Sequence, residues 1–122
     1  MKCLSIKQPW AALILNGRKT LELRSWTTKN RGPLAIHAGK KSDPYGPWQL
    51  FGNEKVLPTG QVLGRVNLVD CRPMTEADAD AACHAYRPGL FAWVLEEPQH
   101  VEPVAMNGRL GLFDVPWQKQ DT

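Results

Sequence analysis

The chain lacks any apolar run approaching the ~20 residues of a membrane-spanning helix. Its opening residues, MKCLSIKQPW, lack the extended apolar core of a secretory leader. Cysteine is scarce and unpaired in pattern: Cys3, Cys71 and Cys83 are odd in number, which argues against a disulfide framework and for a reducing cytoplasm. There is no C-x-x-C, no H-E-x-x-H, and no H-x-E paired with P-C-x-x-C, so a zinc deaminase is excluded as a reading. No glycine-rich phosphate loop occurs, and no Ser-His-Asp triad can be read from the spacing. Asp80, Cys83 and His84 fall close together, but neighbours on a helix point apart, which argues against a metal site. No internal repeat, linker or low-complexity tract is present.

What remains is 122 residues of ordinary globular composition, read as one domain over 1–122 and long enough to bury a core. The net charge of +3 is unevenly spread. Residues 1–42 carry Lys2, Lys7, Arg18, Lys19, Arg24, Lys29, Arg31, Lys40 and Lys41 against Glu22 alone. Residues 74–102 carry Glu76, Asp78, Asp80, Glu96, Glu97 and Glu102 against Arg87. A basic N-terminal third suits an anionic partner such as a nucleotide or RNA; a scattered, solvated face is the alternative.

KCLSI reads as a first strand, and QPWAALILNG as a helix with Pro9 at its start and Gly17 just past its end. TLELRSW alternates with period two, so Leu21 and Leu23 face one way and Thr20, Glu22, Arg24 and Trp26 the other. GPLAIHAG is the next strand. Residues 42–60 form a long loop with a short helix around Trp48–Phe51. GQVLGRVNLVDCRPM is the longest strand signal, with Gly64 marking a bulge or a close approach. Thr75 and Asp78 make a capping box that opens a helix closed by Pro88 and Gly89. LFAWVLEE and HVEPVAM read as two strands, Asn107-Gly108 as a turn, and LGLFDV as the last strand. The order β-α-β-β-loop-β-α-β-β-β points to a small α+β protein: a mostly antiparallel β-barrel with flanking helices.

CLSIKQPWAALILNGRKTLELRSW followed by RGPLAIHAGKK resembles the ASCH domain, a relative of the PUA domain. The resemblance rests on Gln8-Pro9-Trp10, on Gly17, Lys19, Glu22 and Arg24, and on Arg31-Gly32, with later strands similar in pattern. It implies a PUA-like barrel with a cleft beside the first helix, and a modified nucleoside or RNA as partner. Some family members bind RNA or DNA as parts of larger regulators. Others are small bacterial amidohydrolases that deacetylate N4-acetylcytidine through a Lys-Thr-x-Thr-x-Arg motif. Lys19, Thr20 and Arg24 match that motif; Glu22 stands where the catalytic threonine would be.

The residues themselves support similar chemistry. A lysine in a partly apolar cleft loses affinity for its proton, so Lys19 can serve as a general base. Arg24 keeps Glu22 ionised, so Glu22 can orient a water or an exocyclic nitrogen. Lys19 or Arg24 can stabilise an oxyanion. A purely structural Lys–Glu–Arg network at the barrel edge is the competing reading. Trp10 and Trp26 offer stacking surfaces or core packing. Ser5 and Ser25 are candidate hydroxyl nucleophiles. His37, Lys40 and Lys41 contact phosphate or are simply solvated. Gln8 reads a base edge or caps the helix. The first expectation is therefore an amidohydrolase acting on N4-acylated cytidine, with Lys19, Glu22 and Arg24 catalytic and Gln8, Trp10, Ser25, Trp26, His37 and Lys40 contacting substrate. The second is a non-catalytic RNA-binding module. Neither implies a metal or organic cofactor, and no obligate protein partner is evident.

Overall fold

The computed structural model describes residues 1–52 and 56–116. Six strands form one sheet: β1 (Lys2–Ile6), β2 (Leu21–Arg24), β3 (Gly32–Ala38), β4 (Gln61–Pro73), β5 (Phe91–Ala105) and β6 (Leu112–Asp114), in the order β2-β5-β4-β3-β1-β6. The sheet curls into a half-barrel of the PUA-like kind. All its pairings are antiparallel except β1 with β3. That parallel step needs a crossover, which carries the helix α1 (Trp10–Leu15) and lays it on the sheet.

Alternation along the strands builds two buried layers. Leu4, Ile6, Leu34, Ile36, Val66, Leu68 and Trp93 meet Ala11, Ile14 and Leu15 of α1 in the main core. Cys3, Ala35, Val62 and Val115 form a second cluster on the other face, with Met106 and Phe113 packed on it. Burial of these side chains stabilises the fold by about 1.5–3 kcal/mol for each large one.

Gly64 answers to both of its expected roles. A Cβ there would collide with the Gln99 carbonyl oxygen and stand 2.5 Å from Leu15 Cδ2, so only glycine lets α1 and β5 close on β4. The register also shifts there: Ile36 faces Gly64 and His37 faces Val62, leaving Leu63 as an extra residue.

Three expectations are corrected. The two strands expected from LFAWVLEE and HVEPVAM are one, β5, so the described residues form six strands rather than seven. β5 bends instead of breaking. Between the Glu96–Asn67 and Gln99–Arg65 pairs it holds Glu97 and Pro98 against Val66 alone, and Glu97 takes a left-handed φ of 54°. Pro98, without an N–H, sits in that bulge. The second helix is far shorter than the span from Thr75 to Pro88. A 3-10 turn (Glu76–Asp78) leads into α2 (Ala79–Ala82), which stops at Cys83. Cys83 is left-handed, with φ 54°, and the His84 N–H bonds back to the Ala79 carbonyl, a closure that ends a helix. Finally, the alternation of TLELRSW stops with β2 at Arg24.

The Thr75–Asp78 capping box forms as expected. The short helix at Trp48–Phe51 is a 3-10 turn, and residues 53–55 of the expected loop lie outside the described residues. Among the described residues no helix is long and apolar enough to cross a membrane.

Candidate functional site

The half-barrel does not close by strand pairing. β6 pairs with β1 through Lys2–Leu4, and among the described residues no strand pairs with Ser5 and Ile6 on that side. Curling brings β2, the opposite edge, towards this gap. There the Arg24 guanidinium donates to the Ser5 carbonyl at 3.0 Å. A side chain thus bridges the seam, and a groove of about 890 Å³ opens along it. It is large enough for a nucleotide.

Lys19, Glu22 and Arg24 meet in this groove. Glu22 Oε2 accepts from Arg24 Nε at 3.0 Å, and Glu22 Oε1 lies 3.7 Å from Lys19 Nζ. Lys19 is only 3% exposed and Glu22 7%. The Lys19 ammonium also donates to the Ala82 carbonyl, one of the acceptors left over where α2 stops short. It stands over the Trp10 ring, 5.0 Å from the centroid. Burial lowers the proton affinity of Lys19 below the ordinary lysine value, and the Glu22 carboxylate opposes that only in part.

Trp10 forms a wall of the groove. Its indole N–H donates to Asp43 Oδ2 at 2.9 Å, and His84 tilts against the ring at 6.2 Å. That hydrogen bond is the main reason the Asp43 carboxyl sits below its usual range. Sequence reasoning missed Asp43; the aspartate is 33 residues from Trp10, in the loop expected to be irregular. His37 lines the groove although fully buried, and Lys40 and Lys41 stand exposed at its rim. Lys7, Arg87 and Arg109 join them there, all exposed, while among the described residues Glu22 and Asp43 are the acids of its lining. Arg87 and Arg109 lie outside the basic N-terminal third, so no charge count over a segment could have found them.

Three expected contact residues do not reach the groove. Gln8 is fully buried: its Oε1 accepts the Ala12 N–H and its Nε2 donates to the Pro58 carbonyl, so it caps α1 and anchors the long loop. Trp26, beyond the end of β2, packs on the main core, edge-on to Trp93 at 4.8 Å. Ser25 is exposed and outside the groove lining. Among the described residues no group of three or more His, Cys, Asp or Glu side chains could hold a metal ion.

Residues 4–105 match the family model described as the ASCH domain. The chain belongs to the ASCH domain family. It is similar to human Activating signal cointegrator 1, at 34% identity over 130 residues that cover 92% of this chain and 22% of that protein. The mouse protein of the same name is 41% identical over 81 residues, covering 57% of this chain and 14% of that protein. This ASCH chain thus spans about a fifth or less of the length of these relatives. A crystal structure of ASCH from Zymomonas mobilis superposes with a TM-score of 0.67 at 14% identity, covering 98% of this chain and 87% of that one. At that identity the likeness is one of fold. It extends the ASCH assignment to the half-barrel whose seam forms the groove.

Proposed function

We propose that the seam groove of this ASCH domain binds a nucleobase-bearing polyanion, with single-stranded RNA as the ligand class that fits best. The observation that carries the reading is the charge of the groove. Lys7, Lys40, Lys41, Arg87 and Arg109 are exposed around a partly apolar interior. Such a rim engages phosphates and the interior admits a base. Lys19, Glu22 and Arg24 are committed to one another, to the end of α2 and to the edge of β1. They hold the groove open at a fixed width and present a rigid polar floor to the base. The similarity to part of a larger cointegrator protein supports a binding role for this domain.

Fluorescence anisotropy with a labelled single-stranded RNA tests this. Affinity should fall steeply with salt, the slope reflecting the phosphates contacted at about 0.7 each. The Lys40→Ala/Lys41→Ala variant should lower both affinity and slope. Absence of binding at low salt, or a slope unchanged in that variant, contradicts the reading.

A second reading, hydrolysis of the exocyclic amide of an N4-acylated cytidine, is favoured by the burial of Lys19. An amine with weakened hold on its proton, 3.7 Å from a carboxylate, can take a proton from water as the water adds to the acyl carbonyl, and return it to the exocyclic nitrogen as the C–N bond breaks. Arg24 would stabilise the oxyanion and Glu22 keep both cations in place. Release of cytidine from N4-acetylcytidine, abolished in Lys19→Ala, supports this reading; no release removes it.

A further inference from the structure

The parallel register of β1 and β3 sets Ser5 directly beside His37, on the same face of the sheet. Ser5 Oγ lies 2.9 Å from His37 Nδ1, and His37 Nε2 lies 2.8 Å from the Met106 carbonyl oxygen. A carbonyl only accepts, so Nε2 carries the proton. In the neutral ring, Nδ1 then presents its lone pair to the Ser5 hydroxyl. A hydroxyl, an imidazole and an orienting acceptor therefore stand in line, as a nucleophile, its base and the group that fixes the base must.

The surroundings keep this relay rigid. His37 is fully buried, with Phe113 edge-on at 6.3 Å. The loop after β5 closes over the pair at Gly108. A Cβ there would stand 2.6 Å from Ser5 Oγ and 2.9 Å from His37 Cε1, so the approach depends on glycine. Ser5 nevertheless lines the groove, and the Arg24 guanidinium is fixed on its carbonyl at 3.0 Å.

From this geometry we infer that Ser5 is a nucleophile that takes up an acyl group, with His37 as its general base and Arg24 as the positive charge beside the developing oxyanion. The substrate class is a small acyl ester or amide whose leaving part is anionic and sits among the groove's lysines and arginines. Ser5 Oγ bonds to the acyl carbon as its proton passes to His37 Nδ1. The bond to the leaving group breaks, and that group departs with the proton from His37. Water then adds to the acyl-serine, giving a proton to His37. The acid is released as Ser5 Oγ recovers that proton. The inference stands on the groove and the relay alone, independently of RNA binding.

The test is labelling of the intact protein with a fluorophosphonate, followed by intact mass and peptide mapping. One adduct is expected, on Ser5, with Ser25 and Ser42 unmodified. Labelling should vanish in Ser5→Ala and slow by about 100-fold or more in His37→Gln. Since His37 is buried, Gly108→Ala provides a second variant: crowding the pair should slow labelling while the far-ultraviolet circular dichroism is retained. Lack of an adduct on the wild-type protein, an adduct on another residue, or labelling equally fast in a folded His37→Gln or Gly108→Ala variant overturns the inference.

Discussion

Glu22 places its two carboxylate oxygens on two cations, Lys19 and Arg24, and the three groups stand or fall together. Removing the acid charge would leave the Lys19 ammonium buried with a carbonyl and a ring for company. Glu22→Gln should therefore cost about 3 kcal/mol in urea denaturation, as when one partner of a buried pair is removed. An unchanged midpoint would show that the network contributes little. The cysteines divide by burial. Cys3 is fully buried and its thiol is pushed up to about 12, chiefly by desolvation, whereas Cys71 and Cys83 are half-buried. A thiol reagent at mildly alkaline pH should modify Cys71 and Cys83 in the native protein and Cys3 only after denaturant is added. At this scale the sequence was informative where spacing alone sets geometry. Lys19, Glu22 and Arg24 are near in the chain, and they meet. Ser5 and His37 are 32 residues apart, and their meeting depends on a parallel strand register that no local pattern encodes.

The elements carry their own tests. Asp78 receives Arg72 in a two-pronged bond, at 2.7 and 3.0 Å, and accepts the Thr75 N–H at 2.8 Å. The Arg72 contact, reinforced by the Thr75 amide, holds the Asp78 carboxyl well below the usual aspartate range. A carboxyl with a depressed native value stabilises the fold fully above its unfolded value of about 3.9 and loses that contribution as pH falls through the native one. Asp78→Asn should cost about 1–2 kcal/mol at neutral pH. It should also flatten the loss of stability below about pH 4. A variant whose acid unfolding matches the wild type would refute the role of this cap. In β4, Gly64→Ala should destabilise by about 1–3 kcal/mol, since Leu15 and the Gln99 backbone have to move. Both features were legible, as a capping box and as a lone glycine in a strand. The early stop of α2 was not. Ala79–Ala82 favour helix, and only the left-handed Cys83 with its backbone closure ends it. That stop matters for the site because it exposes the Ala82 carbonyl to Lys19.

For the whole molecule, the decisive feature is a sheet that curls without closing. The barrel character and the strand content could be read from alternation and turn residues. The seam could not, because it follows from how far β6 runs along β1 and from where Arg24 lands across the gap. Its charge was half legible: the basic N-terminal third supplies Lys7, Lys40 and Lys41, while Arg87 and Arg109 arrive from distant loops. The most direct measurement is an NMR titration of the labelled protein with a short single-stranded RNA at low salt. Binding in the seam predicts amide shifts concentrated at Ser5, Trp10, Lys19, Arg24, Lys40 and Arg109. Shifts confined to the outer surface around Asn67, Glu97 and Gln99, or none at all, would contradict it.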